Sequence, residues 1–149
     1  MRSYFPDINV WVALTYQGHD HYPIAAEWFQ NLEISPIFFC RLTQLGFLRL
    51  LTNAAVMRDE VRTQSEAWKD YDLLRRSERV GFFPEPETDD LEDEWRSLTR
   101  TAQAAPQQWA DAYLLSFARV AGLTLVTFDQ ALGRLAGGDV VLLRPATHH

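Results

Sequence analysis

The sequence predicts an α/β fold, a parallel sheet with helices on both faces, on two observations. Short apolar runs alternate with amphipathic stretches of helical period along the whole chain. Strands that alternate with helices in this way must be joined by crossovers, which makes neighbouring strands parallel. No repeat, low-complexity tract or linker divides the 149 residues, a length suited to one domain with one proper core.

The elements follow in order. A first strand spans roughly 2–6 and ends at Asp7, and a helix follows over Asn9–Tyr16. His21–Leu32 is helical, with Ala25, Trp28, Phe29 and Leu32 on one face, and Pro36 opens a strand at Ile37–Cys40. Leu42–Leu51 is helical, with Leu42, Leu45, Leu48 or Arg49, and Thr52 at helical spacing and Asn53 as its stop. Thr63 and Glu66 form a capping-box pattern, after which Trp68, Tyr71 and Leu74 recur on one face. Val80–Phe83 is a short strand ended by Pro84. The acidic run that follows caps a helix with Leu91, Trp95 and Leu98 inward, its carboxylates favoured at the positive end of the helix dipole. Pro106 starts a helix that runs to Ala121, and Gly122 ends it as a C′ glycine. Leu123–Phe128 is a strand, Gln130–Leu135 a short helix, and Asp139–Leu143 the last strand.

Composition narrows the function classes. At 47% hydrophobic and 13% aromatic the chain is not disordered. No apolar run approaches the roughly 20 residues that span a bilayer, so no membrane partner is expected. MRSYFPD meets charge and proline too early for a secretory signal. The single cysteine, Cys40, excludes an internal disulfide and fits a reducing cytoplasm. The terminal pair His148 and His149 is given no weight. The net charge of −6 argues at first against a nucleic-acid partner. Residues 84–95 (PEPETDDLEDEW) hold seven acids and no base, however, which leaves the rest of the chain at +1. From Arg41 to Arg79 there are eight bases against six acids, so one side of the molecule can meet an anion.

The first apolar run, YFPDINVWVAL, contains a carboxylate, Asp7, whose burial is expensive unless it neutralises, pairs or binds a metal. Asp129 occupies the equivalent place after LTLVTF. Ligands of open α/β sheets bind at the carboxyl ends of strands, so both acids face one crevice. Asp111 stands at i of an i, i+3, i+4, i+7 set with Leu114, Leu115 and Ala118, and therefore faces the protein. Thr127 can hold a carboxylate by its hydroxyl. Three converging carboxylates repel one another unless a cation is present. Mg²⁺ or Mn²⁺ takes such oxygens, and a hydrated ion of this kind suits phosphodiester hydrolysis. The alternative is structural: Asp7 and Asp129 as helix N-caps and Asp111 as a partly exposed helix residue.

PDINVWVAL, TQLGFLRLLTN and above all WADAYLLSFARVAGLTLVTFD resemble PIN-domain proteins of the VapC type, the toxins of bacterial toxin–antitoxin pairs, from Asp7 to Leu143. The last motif is specific, whereas the first alone is weak. The resemblance implies a three-layer α/β/α PIN-like fold with a central parallel sheet. It further implies Mg²⁺- or Mn²⁺-dependent endoribonuclease activity on an RNA such as tRNA or rRNA, inhibition by a VapB-like antitoxin, and a homodimer. By motif position Asp7, Asp111 and Asp129 surround the metal, and Asn9 and Thr127 match the polar positions behind it.

One position departs from the pattern. Many relatives carry a glutamate in the helix after the second strand, where this chain has Gln44. An amide oxygen can ligate a metal or only hydrogen-bond across the crevice, and it brings no charge. Arg49 can either reach the crevice and hold an RNA phosphate or form a surface ion pair. His19 and His21 read as solvated surface, and the tryptophans as core or interface. Aromatic helices near Trp11, Trp28 and Phe47 offer a groove or dimer surface. A catalytically weak PIN-like module that binds RNA or protein is the alternative function. Aspartyl phosphotransfer is disfavoured, because D-x-N lacks a second acid.

Overall fold

The computed structural model describes residues 1–144; His148 and His149 lie outside the described residues. Five strands form one sheet: β1 (Tyr4–Pro6), β2 (Ile37–Phe39), β3 (Val80–Phe82), β4 (Thr124–Thr127) and β5 (Val140–Leu142). All pairings are parallel, in the order β3-β2-β1-β4-β5. The helices are α1 (Ile8–Thr15), α2 (Tyr22–Asn31), α3 (Arg41–Leu51), α4 (Ala54–Met57), α5 (Gln64–Arg75), α6 (Asp89–Leu98), α7 (Gln108–Ala121) and α8 (Gln130–Ala136). A 3₁₀ turn, Arg58–Glu60, follows α4.

Side chains alternate across the sheet with the strand period of two and divide the interior into layers. Phe5, Phe38 and Leu125 face one side, with Leu91 of α6, Leu114 and Phe117 of α7 and Leu132 of α8. Ile37, Phe39 and Val80 face the other, with Trp11 of α1, Phe47 and Leu51 of α3 and Tyr71 of α5. Helices cover both faces, giving the three-layer α/β/α arrangement. Ring stacking joins sheet to helix on each side: Phe5 lies 4.8 Å from Phe117, and Trp11 lies 3.7 Å from Phe39, between centroids. Full burial of such side chains contributes about 1.5–3 kcal/mol each.

Local chemistry sets the ends of the elements. Pro6 has no N–H for the ladder and closes β1, after which the Asp7 N–H donates to the Val126 carbonyl at 2.9 Å. Thr63 and Glu66 make the expected reciprocal capping box on α5. Gly122 ends α7 at φ +72, in the left-handed region that favours glycine. Pro106 precedes α7 by two residues and lies in a turn.

Three expectations change. Asn53 does stop α3, but its side chain also accepts from the Ala55 N–H at 2.9 Å and so begins α4, which the sequence pattern did not reveal. The inward face of α3 is Thr43, Gln44, Phe47 and Leu51, while Leu45 is 62% exposed. TQLGFLRLL is apolar nearly all round, so period alone does not choose its inner face; packing of Gly46 against Ile8 does. Trp11 and Phe47 are fully enclosed and form no groove or dimer surface. Among the described residues no helix is long and apolar enough to cross a membrane.

Candidate active site

The chain runs outward from β1 to β2 and β3, then returns to place β4 on the other side of β1. That reversal leaves a crevice at the carboxyl ends of β1 and β4, where open α/β sheets bind ligands. Asp7 follows β1 directly, and Asp129 lies two residues beyond β4. Both cap helices. One Asp7 oxygen accepts from the Val10 N–H at 3.3 Å; Asp129 accepts from the N–H groups of Ala131 at 2.8 Å and Leu132 at 3.2 Å. The second Asp7 oxygen accepts from the Thr127 hydroxyl, whose oxygen in turn accepts from the Asp129 N–H at 3.0 Å. Thr127 thus ties the two strand ends together. Capping consumes one oxygen of each acid, so the structural and functional readings of Asp7 and Asp129 coexist.

Electrostatics draws Asp111 into the same group. Asp7 is buried, and burial pushes its carboxyl from 3.8 up to about 6, against the Thr127 and Val10 hydrogen bonds and with help from the charges of Asp111 and Asp129. Asp111, half-buried in the first turn of α7, is also raised, first by burial and then by Asp129. Leu114, Leu115 and Ala118 of its helical stripe are buried as expected. The ion pairs among the described residues join Arg62 to Glu60 and Asp70, Arg96 to Glu92, and Arg119 to Glu94. None reaches Asp7, Asp111 or Asp129. No three Asp, Glu, His or Cys side chains among the described residues close on one point tightly enough to enclose an ion.

The remaining sequence candidates fall at different distances from this group. Gln44 is buried on α3 after β2, the strand beside β1, and its amide oxygen accepts from Arg41. Asn9 is exposed and lines a cleft of about 790 Å³ together with Asp129. Arg49 is exposed, as are Leu45 and Arg41 one and two turns before it, and it makes no side-chain hydrogen bond or ion pair among the described residues.

Sequence reasoning missed several groups. His19 and His21 are half-buried: the His21 N–H donates to His19 Nδ1 at 3.0 Å, and the His21 ring stacks on Phe128 at 4.7 Å, in the wall of the cleft. Arg58, in the same wall, holds a positive φ of 53°, a strained setting for an arginine. The Arg41 guanidinium lies 4.7 Å from the Phe82 ring centroid. The spacing of Arg41 and Gln44, three apart on one helix, was the available signal for that pair. Nothing local connects Arg41 with Phe82.

The PIN domain family matches residues 4–138. Ribonuclease VapC41 of Mycobacterium tuberculosis (strain ATCC 25618 / H37Rv) is 37% identical over 141 residues, 92% of this chain and 96% of that protein. The chain therefore belongs to the PIN-domain family, in its VapC branch. Among solved structures, M. tuberculosis VapC20, a sarcin-ricin loop cleaving toxin, is similar with a TM-score of 0.67 at 17% identity, over 95% of this chain and 100% of that one. VapBC2 from Rickettsia felis, solved bound to a DNA fragment from their promoter, is similar with a TM-score of 0.62 at 14% identity, over 93% and 96%. At those identities the likeness concerns the fold.

Proposed function

We propose that the protein is a divalent-metal-dependent endoribonuclease, the toxin of a toxin–antitoxin pair. The observation that carries this reading is the buried Asp7 carboxylate at the end of β1, whose ionisation Asp111 and Asp129 oppose, with no basic side chain bonded to any of the three among the described residues. Like charges gathered in a partly dry site call for a cation, and carboxylate oxygens favour a hard one, Mg²⁺ or Mn²⁺. Such an ion would be held first by the Asp7 carboxylate, which Thr127 fixes, with Asp111 and Asp129 near enough to oppose its ionisation. When bound, it supplies a water of lowered pKa and offsets charge on the phosphodiester.

The chain's own groups position that chemistry. Thr127 orients Asp7 and, through the Asp129 N–H, couples the two acids. Gln44 contributes an amide at the neighbouring strand end, and Asn9 stands on the open side of the crevice. The names of the relatives, a ribonuclease and a sarcin-ricin loop cleaving toxin, support an RNA substrate of the tRNA or rRNA class. The R. felis VapBC pair supports a VapB-like antitoxin as partner. We further assign a homodimer acting in the cytoplasm.

The test is RNA cleavage in Mg²⁺ or Mn²⁺ by wild type and Asp7→Ala at equal loading. Wild type cuts, and the variant loses at least about 100-fold. Equal rates for the two sink the reading. A second reading, a PIN domain that binds but cuts weakly, is favoured by one observation: the Gln44 oxygen is already taken by Arg41. Activity gained by more than about tenfold in Gln44→Glu supports that alternative.

A further inference from the structure

We propose that Arg41 and the amide of Gln44 form a phosphate-binding site for an RNA strand lying along the carboxyl edge of the sheet, beside the acid crevice. The inference rests on the ribonuclease reading. Arginine can only donate, so the Arg41–Gln44 hydrogen bond fixes the amide with its oxygen toward Arg41 and its NH₂ turned away. That NH₂ has no protein acceptor among the described residues. It is also not enclosed: the enclosed side-chain donor without a partner among them is Trp11 Nε1. The pair therefore presents donors only.

No acid neutralises the cation. Among the described residues Arg41 forms no ion pair, and its guanidinium is held instead by the Phe82 ring at 4.7 Å and by a neutral amide. Both contacts orient the guanidinium and leave its charge intact. Arg79 shows the structural counterpart. It lies on Phe29 at 4.0 Å, but its donors are consumed by the carbonyls of Phe29 at 2.9 Å and Ser35 at 3.3 Å. Arg41 has one protein acceptor and is exposed. A planar cation with free N–H groups beside an amide donor matches the oxygens of a phosphate.

The position suits a phosphate flanking the one that is cut. Arg41 follows β2 and Phe82 ends β3, while Asp7 follows β1. Neighbouring strands stand about 4.8 Å apart, so the end of β3 lies about 10 Å from the crevice, a nucleotide or two along an extended strand. Position 44 then gains a reason for its amide. A glutamate there would pair with Arg41 and cancel the charge, whereas glutamine orients the cation without neutralising it. In a chain of net charge −6 a local cation at this edge matters for holding RNA.

The experiment measures binding of a short single-stranded RNA that wild type cuts, using an Asp7→Asn background to prevent cleavage, over a range of salt. Adding Arg41→Ala weakens binding about tenfold and lowers the salt slope by about 0.7, the value of one lost phosphate contact. Gln44→Glu, which pairs the cation, does the same with Arg41 present; Arg41→Lys restores most of the affinity and the slope. Arg96→Ala, which removes an exposed cation on α6, serves as the control and changes neither. Arg41→Ala behaving like Arg96→Ala overturns the inference alone. A wild-type protein that neither binds nor cuts RNA overturns the ribonuclease reading and this site with it.

Discussion

Asp7 titrates near pH 6 because burial opposes its charge more strongly than Thr127 and the Val10 N–H favour it. Its folded value lies above the unfolded 3.8, so the folded state binds the proton more tightly. Stability contributed by this group is present at low pH and lost as pH rises from about 4 to about 6. Two pH units amount to about 3 kcal/mol withheld at neutral pH. Asp7→Asn keeps a capping oxygen for Val10 and carries no charge. In chelator at pH 7.5 it is expected to resist urea better than wild type, by roughly 1–3 kcal/mol, with the gap closing toward pH 4. A gap indifferent to pH rules out the Asp7 charge as its source. Thr127→Val removes a bond that lowers this carboxyl, so the acidic limb of kcat/KM moves to higher pH; an unmoved limb contradicts the coupling.

At the scale of elements, α1 and α3 carry much of the site and meet where Gly46 faces Ile8. A Cβ at position 46 would lie 2.2 Å from Ile8 Cδ1 and 2.7 Å from Cγ1. Asp7 caps α1, while Arg41 and Gln44 lie in the first turns of α3, so this contact sets the spacing between the acid crevice and the amide. Gly46→Ala is expected to cost roughly 1–3 kcal/mol through overpacking and to lower RNA cleavage together with stability. Ile8→Ala makes room for the new methyl. In a double-mutant cycle followed by thermal unfolding, the pair is expected to couple favourably by at least about 1 kcal/mol. Strict additivity would mean that Gly46 is not needed for this approach.

Over the whole molecule, acids are concentrated in two places with different consequences. The run at 84–95 is solvated along α6 and pairs in part with Arg96 and Arg119. The crevice acids have no such relief, so a divalent cation should stabilise the fold through them. At 100 times its dissociation constant a ligand contributes about 2.7 kcal/mol, and each kcal/mol moves Tm by roughly 2–4 °C for a chain of this size. Mg²⁺ or Mn²⁺ is expected to raise Tm by several degrees in wild type and little in Asp7→Asn. Equal shifts in both would place the ion elsewhere.

The α/β class and the order of strands and helices along the chain were legible without coordinates, and the three aspartates stood out there as candidates. Short-range chemistry carries them: period, caps, and acids placed at strand ends. The motif around Asp111 and Asp129 was specific enough to identify the family. The inner face of α3 was not legible, because an all-round apolar helix takes its orientation from its neighbours. Nor was the second role of Asn53, which both stops α3 and begins α4. The capping roles of Asp7 and Asp129 stood in the sequence as an alternative to the site reading; only the tertiary structure showed that the two roles coexist and that both acids share Thr127, which lies 120 residues from Asp7 and hydrogen-bonds to it. The parallel sheet does this by returning β4 to the side of β1. The outward run of the sheet, which pairs β3 with β2, brings Phe82 under Arg41, 41 positions earlier in the chain, and Arg41 gives the amide at Gln44 its orientation.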